Sequence, residues 1–167
     1  QCYENPKFEF GKVLSTVTNA SGATVPSDFP DASCDNRTEA KGNAVYIIDA
    51  KTGARLWWAS SSTGANTSNS NMKHSIVSRI SAIDRDGDGY VDNLYFGDLG
   101  GQIFRADLNN TKGAVLGKRV VRLANLAANT DGTAITNGDQ PRFYQPPTLT
   151  VHDEGKDTFL LVGIASG

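Results

Sequence analysis

The chain has 167 residues, the length of one domain with room for a sizeable core. A formal charge of −2 with no Lys/Arg stripe leaves no electrostatic footprint for nucleic acid, and no segment approaches the roughly twenty apolar residues of a membrane-spanning helix. Apolar residues at 38%, charged residues at 20% and seventeen glycines suit a soluble, turn-rich β protein.

Residues 1 to 42 show little periodicity and many Asn, Ser, Gly, Pro and Asp, as in NASGATVPSDFPDAS. They read as an irregular insertion or a segment tied down by the two cysteines. The opening QCYENPKFEF lacks the basic-then-apolar pattern of a signal peptide, so any export signal is expected to lie outside this sequence. Cys2 and Cys34 cannot make a structural zinc site by themselves, which leaves a disulfide or two free thiols. The disulfide is the expectation. Closing that loop would stabilise the fold by about 3–4 kcal/mol in the chain-entropy model and would imply an oxidising compartment.

From residue 43 the pattern changes to strands, and residues 43 to 167 are expected to form one all-β unit. NAVYIIDAKTGARLWWAS reads as strand, turn at Lys51 to Gly53, and strand, with Val45 and Ile47 on one face and Tyr46 and Ile48 on the other. SSSTGANTSNSN, residues 60 to 71, reads as a polar loop. A second unit follows as strand 76–83, an acidic loop, strand 93–97, a Gly-Gly turn and strand 102–108. A third is expected to begin near Val120 with VVRLANLA and to resume in PPTLTVHDEGKDTFLLVGIAS as strand, turn, strand. LGKRVVRLANLAAN comes nearest to helical spacing, and its β-branched valines speak against a helix.

Strand–turn–strand units with the turns DAKTG, GDLGG and HDEGK predict antiparallel, β-propeller-like repeats. The material suffices for two to three blades, so the chain is expected to be a segment of a larger propeller. Its edge strands would then need completion by the rest of that propeller.

The acidic loop DRDGDGYVD carries the chemistry. Asp84, Asp86, Asp88 and Asp92 converge on a turn that Gly87 and Gly89 can bend, and a hard cation would neutralise their mutual repulsion. Calcium accepts six to eight oxygens in flexible geometry, whereas magnesium demands a tighter octahedron. With Asp84 as the first ligand, Asp86, Asp88, the carbonyl of Tyr90 and Asp92 stand third, fifth, seventh and ninth, and Gly89 occupies the sharp sixth position of an EF-hand loop. The twelfth position is Tyr95 rather than a bidentate Glu, and the flanks alternate like strands. The prediction is a calcium loop between strands; the plain alternative is a solvated acidic turn.

KHSIVSRISAIDRDGDGYVDNLYFGDLGGQIFRADL resembles the calcium-bearing blade of the PilY/PilC family of proteins associated with the tips of bacterial type IV pili. NAVYIIDAKTGARLW and RFYQPPTLTVHDEGKDTFLLVGIASG are similar to its neighbouring blades. The resemblance spans about residues 43 to 167. It implies a C-terminal propeller-like domain of a longer chain, export to the cell surface or pilus tip, and roles in pilus biogenesis, retraction control and adhesion. It also implies contacts with minor pilins and with a host or surface ligand, and the same five calcium ligands. Arg-Gly-Asp does not occur, so direct integrin binding has no support.

Two further readings use parts of the same pattern. Integrin-like FG-GAP propellers also place Asp-rich calcium loops between strands, but in every repeat, and only one unit here has such a loop. VYIIDAKTGARLW is similar to repeats of quinone-dependent dehydrogenases, without further quinone-binding or catalytic residues. No catalytic role is expected, because His74 and His152 stand in no metal-ligand spacing and His74 and Ser75 point to opposite faces of an extended chain. His152 reads as a turn residue. Trp57 and Trp58 offer either a sugar-stacking platform or, more simply, one core residue and one packed beneath a loop. Asp98 reads as a cap on the amides of its turn. The sequons at Asn19, Asn36, Asn66 and Asn109 are expected from composition alone.

Overall fold

The computed structural model of the chain describes residues 8–9, 12–13, 16–18, 24–26, 42–109, 115–129, 133 and 140–167. Residues 1–41 form one compact unit and residues 42–167 another. The first contains strands β1 (Phe8–Glu9), β2 (Lys12–Val13), β3 (Thr16–Thr18) and β4 (Thr24–Pro26). These pair antiparallel as β1–β2 and β3–β4, so a region expected to be irregular carries two short hairpins. Cys2 and Cys34 lie outside the described residues.

The second unit is built from consecutive antiparallel hairpins. Strand β5 (Val45–Ile48) pairs with β6 (Arg55–Ser60), with Tyr46 opposite Trp58 and Ile47 opposite Trp57. Alternation decides the faces. Val45, Trp57 and Ala59 are buried while Tyr46 and Ile48 are more than half exposed. A bulge between Ile47 and Ile48 sets Arg55 opposite Ile48 and adds Leu56 to the exposed side. Within the expected 60–71 loop, strand β7 (Thr67–Ser68) pairs parallel with the end of β6. Its anchor is the Trp57 indole, whose Nε1 donates to Thr67 Oγ1 at 3.0 Å.

The second sheet is a four-stranded meander of β8 (Ser81–Ile83), β9 (Asn93–Gly97), β10 (Gln102–Leu108) and β11 (Gly117–Asn125). Strand β8 is shorter than the 76–83 expected. In this register the residues before Ser81 would face Phe96, Gly97 and Asp98, yet the pairing stops at Tyr95 although β9 runs on to Gly97. The chain bonds elsewhere there: Ile76 N donates to Gly42 O, and Ser75 O accepts from Leu99 N. VVRLANLA does not open a third unit. It forms most of β11, the fourth strand of the second sheet.

A last hairpin joins β12 (Thr148–Glu154) to β13 (Asp157–Gly163). His152 therefore lies within a strand, stacked on Phe159 across the pair, and not in a turn. Among the described residues every strand pairing is antiparallel except β6–β7, and no helix is long and apolar enough to cross a membrane. The fold is all-β.

The core forms between the first two sheets, where Val45, Trp57, Ala59 and Met72 meet Leu94, Phe96, Phe104, Ala106 and Val120. Asn69 Nδ2 fastens them by donating to Val120 O at 2.8 Å. The opposite face of the second sheet is covered too. A Cβ added at Gly97 would come within 2.8 Å of Phe143 and 2.7 Å of Ile164, and Tyr95 and Ile103 on that face are buried. Phe143 N donates to Asp98 O, and Ser81 Oγ donates to Pro147 O, so residues 141–147 are held across this face.

Candidate metal centre

The acidic loop is the connection between β8 and β9. Its two ends are closed as an antiparallel hairpin, Asp92 N donating to Ile83 O at 2.9 Å, and Leu108 N on β10 donates to Asp92 O at 2.8 Å. The reversal falls on Gly87 and Gly89, with φ of 77° and 90°, a region that costs other residues a Cβ clash.

Each aspartate serves the loop's own backbone. Asp84 Oδ1 accepts from Gly87 N at 2.7 Å and its Oδ2 from Gly89 N at 2.8 Å. Asp86 Oδ1 accepts from Asp88 N, and Asp88 Oδ1 accepts from Tyr90 N. These bonds draw the first three carboxylates inward. One oxygen from each of Asp84, Asp86 and Asp88 lies within 4.8 Å of the others. Oxygens sharing one calcium ion at about 2.4 Å can be no more than about 4.8 Å apart, so the spread fits such an ion. An all-carboxylate donor set also suits a hard cation. The loop is exposed apart from the partly covered Asp84 and Asp92, and water can complete a coordination shell there.

Asp92 stands apart from this trio. Its Oδ2 accepts from Arg85 N at 2.7 Å, so the side chain braces the loop entrance. That bond engages one of its two oxygens and does not bar it from the expected ninth-position role. Tyr90, whose carbonyl is the expected seventh-position ligand, is 65% exposed.

Sequence reasoning passed over the group that anchors the loop's exit. Asn93 Nδ2 donates to Asp107 Oδ1 at 2.9 Å, and Arg105 Nε donates to the same oxygen at 2.6 Å. Arg119 Nε donates to Asp107 Oδ2. Burial pushes the Asp107 carboxyl up, but the hydrogen bonds from Arg105 and Arg119 outweigh it and hold the group below its ordinary range. The hydrogen bond to Asp107 likewise raises Arg105. The available signal was Arg105 and Asp107 two apart on one strand face, with Asn93 opposite Asp107.

The remaining candidates resolve into structural roles. Asp98 is fully buried and caps its turn as expected, Oδ1 accepting from Gly100 N at 3.0 Å and Gln102 N at 2.9 Å. Asp49 does the same in the preceding hairpin, accepting from Lys51 N and Thr52 N. Hydrogen bonds from those two amides hold its carboxyl below the usual range. His74 lies so close to Gly100 that a Cβ there would overlap its ring. Burial pushes this imidazole down to about 4, with a smaller contribution from Lys73. Trp57 is a core residue, and Trp58 stacks on Tyr46 with Arg55 5.2 Å from its ring centroid. Asn66 Oδ1 accepts from Trp58 N. Comparison of the chain with protein-family models, with curated proteins and with solved structures yields no match.

Proposed function

We propose that residues 42–167 are calcium-binding blades of a propeller in a type IV pilus tip-associated protein of the PilY/PilC kind. The observation that carries the metal reading is the convergence of Asp84, Asp86 and Asp88 within 4.8 Å, in a loop joining two antiparallel strands. The blade reading draws support from the four-stranded meander, covered on one face by the first sheet and on the other by Phe143 and Ile164. The proposed role is non-enzymatic. The ion fixes the loop, and with it the surface that meets minor pilins or a host ligand in pilus biogenesis, retraction control and adhesion. Cell-surface exposure suits a site of this design, because extracellular modules commonly bind calcium at about 10⁻⁴–10⁻³ M and millimolar calcium then fills them.

Calorimetric titration of chelator-treated protein with calcium, beside magnesium and an Asp88→Ala variant, tests the metal site. The expected result is saturable calcium binding that Asp88→Ala abolishes while the far-ultraviolet dichroism of the strands persists. Terbium luminescence sensitised by Tyr90 gives a second readout. Absence of calcium binding in a folded sample, or a variant that binds as well as the parent, overturns the assignment.

A further inference from the structure

The acidic loop hangs between two strands of unequal anchorage. Its entrance follows β8, a three-residue strand at the edge of the sheet, whereas its exit leads into β9, which lies between β8 and β10. Asp84, Asp86 and Asp88 stand on the entrance side and Asp92 at the exit, so their meeting at one ion depends on how firmly the exit is held. The bond from Arg85 N to Asp92 Oδ2 links the two sides directly.

The exit itself is held from β10. Leu108 N donates to Asp92 O at 2.8 Å, and Asn93 Nδ2 donates to Asp107 Oδ1 at 2.9 Å, so two consecutive residues of β10 clamp two consecutive residues of the exit. Asn93 is buried and stands between Ile83 of β8 and Asp107 of β10. Asp107 is fixed in turn, because Arg105 Nε donates to its Oδ1 at 2.6 Å and Arg119 Nε to its Oδ2. Those two cations suffice to meet the charge of the carboxylate, so the bond from Asn93 is not required to neutralise it. That bond instead fixes a rotation of the chain. Neighbouring side chains of an extended segment point to opposite faces, and pinning Asn93 therefore sets the side on which Asp92 projects.

We infer that Asn93 and Asp107, with Arg105 and Arg119 behind them, are positioning residues of the metal centre, holding the exit so that Asp92 reaches the ion shared by Asp84, Asp86 and Asp88. The inference rests on the calcium reading of the loop, and it extends the centre from the loop into strands β9, β10 and β11. Groups that orient a ligand from behind commonly govern metal affinity by about 10–100-fold.

Calorimetric calcium titration of the full chain compares the parent with Asn93→Ala, Asp107→Ala and the double variant, and denaturant unfolding checks that each is folded. Asn93→Ala leaves both arginines on Asp107, and a loss of about tenfold in affinity is expected. Asp107→Ala is expected to lose at least as much, and the double variant no more than Asp107→Ala, because both changes remove the same link. Val45→Ala removes a buried side chain of the first sheet and no bond of the loop, so it is expected to weaken the fold and to bind calcium like the parent. A readout that needs no ion is hydrogen exchange in calcium-free protein: the amides of Asp92 and Leu108, bonded to Ile83 O and Asp92 O, are expected to exchange faster in Asn93→Ala than in the parent.

An Asn93→Ala protein that binds calcium as tightly as the parent overturns the inference and leaves the metal reading standing. Losses that add in the double variant mean two separate effects, and an equal loss in Val45→Ala means general weakening of the fold; either result sinks it. Unchanged exchange at both amides shows that the exit is held without the Asn93 bond and overturns it as well. A folded parent that binds no calcium removes the metal reading and this inference together.

Discussion

Replacing Asp98 with alanine removes the acceptor on which the turn between β9 and β10 is built. The carboxylate is fully buried and receives Gly100 N, Gln102 N and Gln102 Nε2, at 3.0, 2.9 and 2.9 Å. Gly100 and Gln102 are themselves buried, so water cannot readily take the place of the lost acceptor. Hydrogen bonds to a charged group contribute about 1.5–3 kcal/mol each and are not additive, so the expected loss is about 4 kcal/mol. That is a large share of the 5–15 kcal/mol typical of a folded domain. Asp98→Asn separates charge from shape. It retains an acceptor for the two amides but sets an amide group against Gln102 Nε2, and Gln102 cannot turn over without giving up the bond from Arg122 Nη1 to its Oε1. An intermediate loss of about 2 kcal/mol is expected. Denaturant unfolding followed by tryptophan fluorescence measures both, since Trp57 lies in the shared core. Asp49→Ala is the control, because its turn is hydrated and solvent replaces the lost bonds. An Asp98→Ala protein within about 1 kcal/mol of the parent would refute this account of the turn.

Two further outcomes follow from the packing. Gly117→Ala places a methyl group inside the Trp57 indole, so the sheets must part or the ring must shift; a loss of about 2–3 kcal/mol and a red-shifted tryptophan emission are expected, and an unchanged denaturation midpoint would contradict the close approach. His74 has a folded-state value of about 4, below its ordinary value near 6.5, so between those pH values the unfolded chain holds a proton that the folded chain lacks. Stability then falls as pH drops through this window and levels off below it, by about 2 kcal/mol after allowance for partial solvation of the ring. His74→Gln should flatten that slope in acid-titrated unfolding, and an unaltered slope would remove His74 as its source.

The elements legible in the sequence are those that local chemistry determines. Strands β5, β6, β9 and β10 are rich in β-branched and aromatic residues, and each pair is joined by a turn whose leading aspartate caps the following amides. The loop's trio was legible as well, because spacing and two glycines dictate its convergence. The bond from Arg85 N to Asp92 was not legible, because it depends on how the two ends of the loop close. The residues before β8 bond instead to Gly42 and Leu99, and β7 depends on the reach of Trp57 to Thr67; neither is a local signal. The Asp107 cluster likewise exists only once three strands lie side by side, bringing Asn93, Arg105 and Arg119 to one carboxylate.

Among the described residues, every strand pairs with its immediate neighbour along the chain. Closing each hairpin therefore fixes only a short loop, which is entropically cheap and rapid, whereas uniting the first two sheets requires Asn69 to find Val120 across 51 residues. During synthesis the first sheet can form before β11 is made, while Gly117, which abuts the Trp57 indole, comes last, so full closure of the shared core is expected to follow formation of the hairpins and to leave apolar surface open until then.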